Sequence, residues 1–211
     1  MKKVLIFLLA VILIAPMFTG CHFKKGENDP TISIKSRKAR LCGEWKLTEW
    51  EMNETATYSS GGSSSTMYNF NGSSLTIIDT DAGGSNTYTL MYSESCEILK
   101  DGTFTSKTSM SGDGYTSTKD AEGTWTWISG NKEDDLKNKE RVCFAETRST
   151  EVESGSGYSD TDIFSADGDK DVSVQRIDQL SNKILVFSID VTENNNGSIY
   201  TTLGTWTYEK E

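Results

Sequence analysis

The chain has 211 residues, 31 acidic and 21 basic, and its formal net charge of −10 argues against a nucleic-acid partner, which would require a basic surface. His22 is the only histidine, so catalytic machinery that relies on a histidine base and zinc sites built on histidine are both excluded. From these features we expect a protein without enzymatic activity, cofactor or metal ion.

The first residues have the pattern of a signal peptide. Two lysines precede an almost wholly apolar run over residues 4–17, which is shorter than the roughly 20 apolar residues that a membrane-spanning helix needs. The segment Thr19-Gly20-Cys21 resembles the lipobox of bacterial lipoproteins, in which the cysteine is lipidated and becomes the N-terminus. The resemblance implies a signal peptide at residues 1–20 and a lipid on Cys21 that holds the protein to a membrane. A plain signal peptide with an incidental cysteine is the alternative.

The polar, lysine-rich stretch at residues 21–39 is expected to carry the lipid anchor and form a flexible tether, with a β domain at residues 40–211. His22 stands where an aspartate retains some lipoproteins at the inner membrane. The resemblance therefore favours the outer membrane of the cell envelope. It leaves open whether the domain faces the periplasm or the cell surface.

Beyond residue 40 the hydrophobic pattern has a period of two, which predicts β-strands. The alternating segments are rich in β-branched and aromatic residues, as strands are. Hairpin signals such as Asn71-Gly72 and Asp101-Gly102 separate them. The clearest alternating faces predict a buried core of Trp45, Leu47, Leu185, Phe187 and Ile189.

About eight to ten strands with hairpin spacing predict an all-β fold, either an antiparallel β-barrel or a β-sandwich, which periodicity does not distinguish. Two stretches rich in serine and glycine, residues 57–66 and 153–171, are expected to be flexible. Trp50 has the opposite parity to Trp45 along the first strand. It is expected either to be exposed or to return to the core through a β-bulge.

The pattern Gly-x-Trp occurs three times, beginning at Gly43, Gly123 and Gly204. We interpret it as one packing device used in three strands, a glycine that allows close approach beside a large ring. Residues 41–47, Leu-Cys-Gly-Glu-Trp-Lys-Leu, resemble the opening strand Leu-x-Gly-x-Trp-x-Leu of the lipocalin-like domains of bacterial lipoproteins. Residues 100–104 and 177–185 are similar to later segments of those domains.

This resemblance implies a lipocalin-like antiparallel barrel in which Trp45, preceded by Gly43, is structural and plugs one end. In lipocalins an arginine from a late strand usually packs across this tryptophan ring. No arginine follows Arg176 in the present chain, so Lys210 or Arg176 would have to replace it. An eight-stranded barrel has room for a filled core or for one small ligand.

Four carboxylates, Glu94, Glu97, Glu122 and Glu146, are candidates for the paired carboxylates of a glycoside hydrolase. No motif surrounds them, and we expect them to face solvent. The acidic segment 167–171 alternates as a calcium loop does but lacks the glycine of an EF-hand, so we expect a solvated loop.

Three cysteines remain after Cys21, namely Cys42, Cys96 and Cys143. An odd number allows at most one disulfide within the chain, and the sequence does not determine its partners.

Three functions remain open at this point. The first is a membrane-anchored, non-enzymatic lipoprotein whose lipocalin-like barrel binds a small apolar or amphipathic ligand. The second, which is the main alternative, is a β-sandwich module of the cell envelope that binds glycan or protein through exposed aromatics such as Trp50 and Trp127. The third is a purely structural protein of the envelope. An open apolar interior would favour the first, and an exposed aromatic strip the second.

Overall fold

The structure is a computed structural model that describes residues 28–30, 35–131, 133, 136–155, 158–165 and 171–211. In these residues one short helix, α1 (Arg37–Leu41), precedes eleven antiparallel strands. The strands are β1 (Gly43–Thr57), β2 (Ser63–Phe70), β3 (Ser74–Asp81), β4 (Gly84–Ile98), β5 (Thr103–Gly112), β6 (Tyr115–Ile128), β7 (Arg141–Gly155), β8 (Tyr158–Ser165), β9 (Asp171–Leu180), β10 (Ile184–Asn195) and β11 (Ser198–Lys210). The all-β prediction is confirmed.

The sheet closes on itself as a barrel. β1 pairs with β2 on one side and with β11 on the other. The remaining pairings run from β2 through β6 to β7, and then through β9 and β10 to β11. Ten strands thus form a closed ring, and β8 pairs with β7 beyond the point where the β7–β9 ladder ends. The ring confirms the lipocalin-like barrel of eight to ten strands and excludes the β-sandwich.

The two ends of the barrel differ in width. Near its start β1 pairs directly with β4, from Gly43 opposite Ile98 to Lys46 opposite Ser95. Beyond these pairs the two strands separate, and the hairpin of β2 and β3 fills the space between them. The ring therefore contains eight strands where β1 pairs with β4, here called the narrow end, and the hairpin of β2 and β3 adds two strands toward the opposite end, the wide end. Barrel diameter grows with strand number, which explains the difference.

A β-bulge in β1 turns Trp50 into the barrel. The register between β1 and β11 shifts between Leu47 and Glu49, so that Trp50 lies opposite the inward-facing Trp206. One extra residue in a strand exchanges the two faces to which the following side chains point. The Trp50 ring stacks on Tyr68, with the ring centroids 5.2 Å apart. Of the two positions expected for Trp50, the structure therefore shows the core position.

The residues predicted for the core fall into two groups. Four of them are buried: Trp45, Leu47, Leu185 and Phe187. Ile189, in contrast to the prediction, is only half-buried. The ladder between β9 and β10 ends one residue before Ile189, so among the described residues this part of β10 has no paired neighbour on the β9 side. Ile189 has the inward-facing position that the alternating pattern predicts, but its side chain stays partly exposed because no described strand is paired with it on the β9 side.

Residues that composition assigns to the tether pack against the barrel at its narrow end. Asp29 is 5% exposed, and its carboxylate accepts a hydrogen bond from the backbone nitrogen of Leu180 at 2.7 Å. Arg40 donates to the same carboxylate at 3.1 Å, and Arg37 lies 3.5 Å from it. Burial lowers the pKa of Arg37 although Asp29 acts in the opposite direction. Contacts of the folded domain therefore begin before residue 40, inside the stretch assigned to the flexible tether.

Candidate functional site

Trp45 closes the narrow end of the barrel. The indole Nε1 donates a hydrogen bond to the carbonyl oxygen of Leu41 at 2.7 Å, so the one polar atom of this buried ring is satisfied. The ammonium of Lys210 lies 4.7 Å from the ring centroid, within the range of a cation–π contact. Gly43 has a φ of +138°, and a β-carbon there would collide with the Lys210 side chain. The backbone conformation favours glycine at this position, and the missing side chain leaves room for the end of Lys210.

Lys210 occupies the place that the lipocalin resemblance gives to a late cation. Its ammonium also donates to the backbone carbonyl oxygens of Arg40 at 3.0 Å and Cys42 at 2.6 Å, which ties β11 to the end of α1. Burial lowers the pKa of Lys210 below its ordinary value. Arg176, the other candidate, is exposed and lies 3.4 Å from Asp178. The lysine therefore seals the narrow end.

A cavity of about 310 Å³ lies inside the barrel, between the Trp45 plug and the wide end. Its size is at the lower end of the range for small-molecule sites, roughly 300–1,000 Å³. Five aromatic rings form most of its wall, and two carboxylates project into it. The lining residues are Glu94, Cys96, Phe104, Ser106, Phe144, Glu146, Ser173, Gln175, Phe187, Trp206 and Tyr208.

Glu94 projects from β4 into the cavity and accepts hydrogen bonds from two tyrosines. The Tyr208 hydroxyl donates to Oε1 at 2.6 Å, and the Tyr92 hydroxyl donates to Oε2 at 2.7 Å. Burial raises the pKa of both tyrosines, and the charge of Glu94 raises it further. Both hydroxyls therefore remain protonated donors throughout the physiological pH range.

Cys96 faces the same cavity two residues further along β4. Burial, and secondarily the charge of Glu94, raises the pKa of its thiol to about 12. The thiol is therefore neutral at physiological pH, and a neutral thiol is a poor nucleophile. Cys42, Cys96 and Cys143 are all free, so the described residues do not form the disulfide that the sequence allows.

Two of the four candidate carboxylates point into the barrel, which corrects the expectation that all face solvent. Glu94 and Glu146 both line the cavity. Glu146 is neutralised by Lys119, whose ammonium lies 3.1 Å from its carboxylate. Glu97 and Glu122 have the opposite parity and lie on the outer face. No pattern around Glu94 or Glu146 in the sequence marks the inner face, because the inner face is itself partly polar.

Aromatic rings continue the inner wall toward the wide end. Trp50 lies between Tyr68 and Trp206, and its ring centroid is 6.3 Å from that of Trp206. Tyr92 contacts Trp50 at 5.8 Å and Phe70 at 5.4 Å between ring centroids. Trp50 Nε1 is buried and has no hydrogen-bond partner among the described residues. This donor is available to a bound molecule or to water.

The cavity has a lateral opening between β9 and β10. Their ladder ends at the pair Arg176–Ser188, beyond which β9 pairs with β7 and β10 continues beside β11. Ser173 and Gln175 of β9 line the cavity at this gap. Val191 of β10 shares the inward face of the strand, yet it is 41% exposed. The gap gives a small molecule a route to the aromatic wall.

A second depression, of about 560 Å³, lies on the outer face of the barrel over β9, β10, β11, β1 and β2. Polar side chains such as Glu51, Asn53 and Asn69 make up much of its lining. Tyr68 borders it, but the tyrosine ring stacks on Trp50 on the inner side of the sheet. The groove is larger than the inner cavity, yet its lining offers no aromatic platform for sugar stacking. We therefore place the candidate site inside the barrel.

Three features expected from the sequence fall outside the described residues: the signal peptide at residues 1–20, the lipidation site Cys21, and residues 167–170 of the acidic segment. Within the described ranges, no group of histidine, cysteine or acidic residues could hold a metal ion. The same ranges contain no helix that is long and apolar enough to cross a membrane.

Comparison with known proteins assigns no family to the chain. No protein-family model matches the sequence, and no curated protein matches it significantly. The functional argument therefore rests on the geometry of the barrel and on the N-terminal sequence.

Proposed function

We propose that the protein is a lipoprotein of the cell envelope, anchored to the outer membrane through Cys21, whose barrel binds a small amphipathic ligand without catalysing a reaction. The observation that carries the proposal is the aromatic cavity of about 310 Å³ inside a closed barrel. A protein that used the barrel only as a scaffold would gain stability by packing side chains into this space, because the apolar rings of its wall would then be removed from water.

The shape of the barrel supports binding. Trp45 and Lys210 seal the narrow end, whereas the gap between β9 and β10 leaves the cavity accessible. A concave apolar site with a few polar groups is the usual form of a small-molecule site. The rings supply apolar contact area, and Glu94 and Ser106 supply polar atoms that orient a ligand.

The state of the inner carboxylates supports binding rather than hydrolysis. Both oxygens of Glu94 accept hydrogen bonds from tyrosines, and Glu146 is paired with Lys119. A paired-carboxylate hydrolase needs one carboxylic acid that donates a proton. In the structure both oxygens of Glu94 act as hydrogen-bond acceptors and Glu146 contacts an ammonium, so neither carboxyl group is placed as a proton donor. A glycosidase assay in which Glu94→Gln abolished turnover would contradict this part of the proposal.

The N-terminal sequence supports the anchor. The charged start, the apolar run at residues 4–17 and the small residues before Cys21 have the order of a lipoprotein signal. Replacing Cys21 with serine is expected to move the protein from the membrane fraction to the soluble fraction. His22→Ser, one residue later, is the matched control and should leave the protein in the membrane fraction. A Cys21→Ser protein that stays membrane-bound and is cleaved at the same place would contradict the anchor.

Filling the cavity tests the binding site. Ser106 lines the cavity, whereas the adjacent Thr105 is exposed on the outer face of β5. The measurement is the fluorescence of the neutral dye N-phenyl-1-naphthylamine, titrated with the mature chain (residues 21–211) carrying Cys21→Ser. We expect a saturable rise in fluorescence that Ser106→Phe abolishes and Thr105→Phe preserves. Absence of a saturable rise, or equal binding by both variants, would show that the cavity is not a ligand site.

A further inference from the structure

The inner cavity contains one carboxylate whose charge no cation of the described residues balances. Of the two carboxylates in the lining, Glu146 is paired with Lys119 at 3.1 Å. Glu94 makes no ion pair within the described chain, and its hydrogen-bond partners are the neutral hydroxyls of Tyr92 and Tyr208. Hydroxyl groups satisfy the oxygen atoms of a carboxylate but leave its negative charge in place.

The carboxylate of Glu94 projects among the aromatic rings of the cavity wall. Its field is felt by the neighbouring groups, since it contributes to the raised pKa values of Cys96, Tyr92 and Tyr208. A positively charged group bound beside Glu94 would remove the imbalance.

The aromatic wall is suited to the same positive charge. Phe187 and Trp206 line the cavity together with Tyr208, the direct partner of Glu94. The faces of such rings carry negative electrostatic potential and attract ammonium groups, most strongly where water is excluded. A carboxylate and aromatic rings in one cavity are a combination suited to an organic ammonium ion.

The rest of the inner face has the same sign of charge. Glu54, Glu151 and Glu153 lie on this face and accept hydrogen bonds from the hydroxyls of Tyr68, Ser117 and Tyr115 respectively. Lys119 pairs with Glu146, and Lys210 is enclosed below the Trp45 ring. A wall of one sign raises the local concentration of oppositely charged ligands and repels ligands of its own sign.

From this cavity we infer that the ligand is an organic cation with an apolar tail, whose ammonium group lies between Glu94 and the rings of Trp206 and Tyr208. The inference rests on the proposed ligand-binding function and narrows it. Fatty acids and other anionic amphipaths are the wrong class, because their carboxylate would meet Glu94 and the acidic wall beyond it.

Competition among three probes of equal chain length tests the inference. Octyltrimethylammonium, 1-octanol and octanoate carry a positive, a neutral and a negative head group on the same tail. Each is titrated, below its micelle concentration, against the mature Cys21→Ser chain loaded with N-phenyl-1-naphthylamine at pH 7. We expect the cation to displace the dye about ten-fold more tightly than octanol, as a desolvated cation–π and charge contact would give, and octanoate to be the weakest.

Two variants test whether Glu94 is responsible for the preference for the cation over octanol. Glu94→Gln keeps the shape of the side chain and removes its charge, so the preference for the cation over octanol should fall to about two-fold or less. Glu97→Gln removes the same charge from the outer face of the same strand and should leave the preference unchanged. Thermal unfolding followed by circular dichroism, together with dye binding, verifies that Glu94→Gln retains the barrel.

The possible outcomes separate the inference from the proposed function. Dye binding with equal displacement by all three probes, or tightest displacement by octanoate, keeps the binding function and overturns the cation inference. A cation preference that survives in Glu94→Gln also overturns it, because another group would then be responsible. Failure of the dye itself to bind the unsubstituted chain overturns the proposed function, and the inference with it.

Discussion

At the scale of single residues, Trp45 connects the core of the barrel with α1 and β11. Its ring lies in the core, its Nε1 holds the end of α1, and its face contacts the ammonium that ties β11 to the same place. Gly43 makes room for this lysine. At Gly43, the first of the three Gly-x-Trp positions, the glycine therefore leaves room for a cation close to the backbone.

Trp45→Ala is expected to lower the free energy of unfolding by about 3–5 kcal/mol, the usual cost of truncating a large aromatic residue in a core. Trp45→Phe retains a ring but leaves the Leu41 carbonyl without its donor, and should cost about 1–3 kcal/mol. The measurement is urea unfolding of the mature chain. Leu203→Ala, at a side chain that is 46% exposed, is the control and should change stability by about 0.5 kcal/mol or less. A cost below about 1 kcal/mol for Trp45→Ala would contradict the role of the plug.

At the scale of elements, α1 has only five residues and would not be stable alone, since isolated helices of fewer than about 12 residues are marginal in water. α1 is held by its surroundings instead. Asp29 bridges Arg40 of the helix and the end of β9, and the Arg40 side chain also donates to the carbonyl oxygen of Leu180. These buried contacts dock the helix at the narrow end.

Asp29→Asn is expected to destabilise the domain by about 3–5 kcal/mol, because it leaves the buried guanidinium groups of Arg37 and Arg40 without their closest counter-charge. Urea unfolding measures the loss. Asp120→Asn breaks the pair with Lys107, in which both side chains are largely exposed, and should cost about 0.5 kcal/mol or less. Equal effects of the two substitutions would show that the Asp29 cluster does not anchor α1.

Several elements could not be predicted from composition. Residues 63–66 belong to β2, and residues 158–165 form β8, although both lie in stretches expected to be flexible. Serine, glycine and aspartate disfavour strands on average, but backbone hydrogen bonds to β1 and β7 hold these segments extended. Propensity describes an isolated segment and does not include the neighbours that the fold supplies.

For the whole molecule, the fold class was predictable because period-two patterning and hairpin signals are local features. Closure was not, since it depends on β1 meeting β11 across most of the chain. The inner carboxylates were missed for a related reason. Alternation identifies two faces of a strand, but Glu94 shares its face with Tyr92 and Cys96, and only the closed ring shows that this face lines a cavity.

Under the proposed lipid anchor, the position of the chain ends favours one orientation of the protein on a membrane. The backbone nitrogen of Glu211 bonds to the carbonyl of Glu44 at 3.1 Å, and Asp29 packs beside Leu180, so both ends leave the barrel at the narrow end. With Cys21 lipidated as proposed, the eight residues to Asp29 span at most about 28 Å. The proposed lipid would then hold the barrel by its narrow end, which favours a wide end turned away from the bilayer and ligands that arrive from solution.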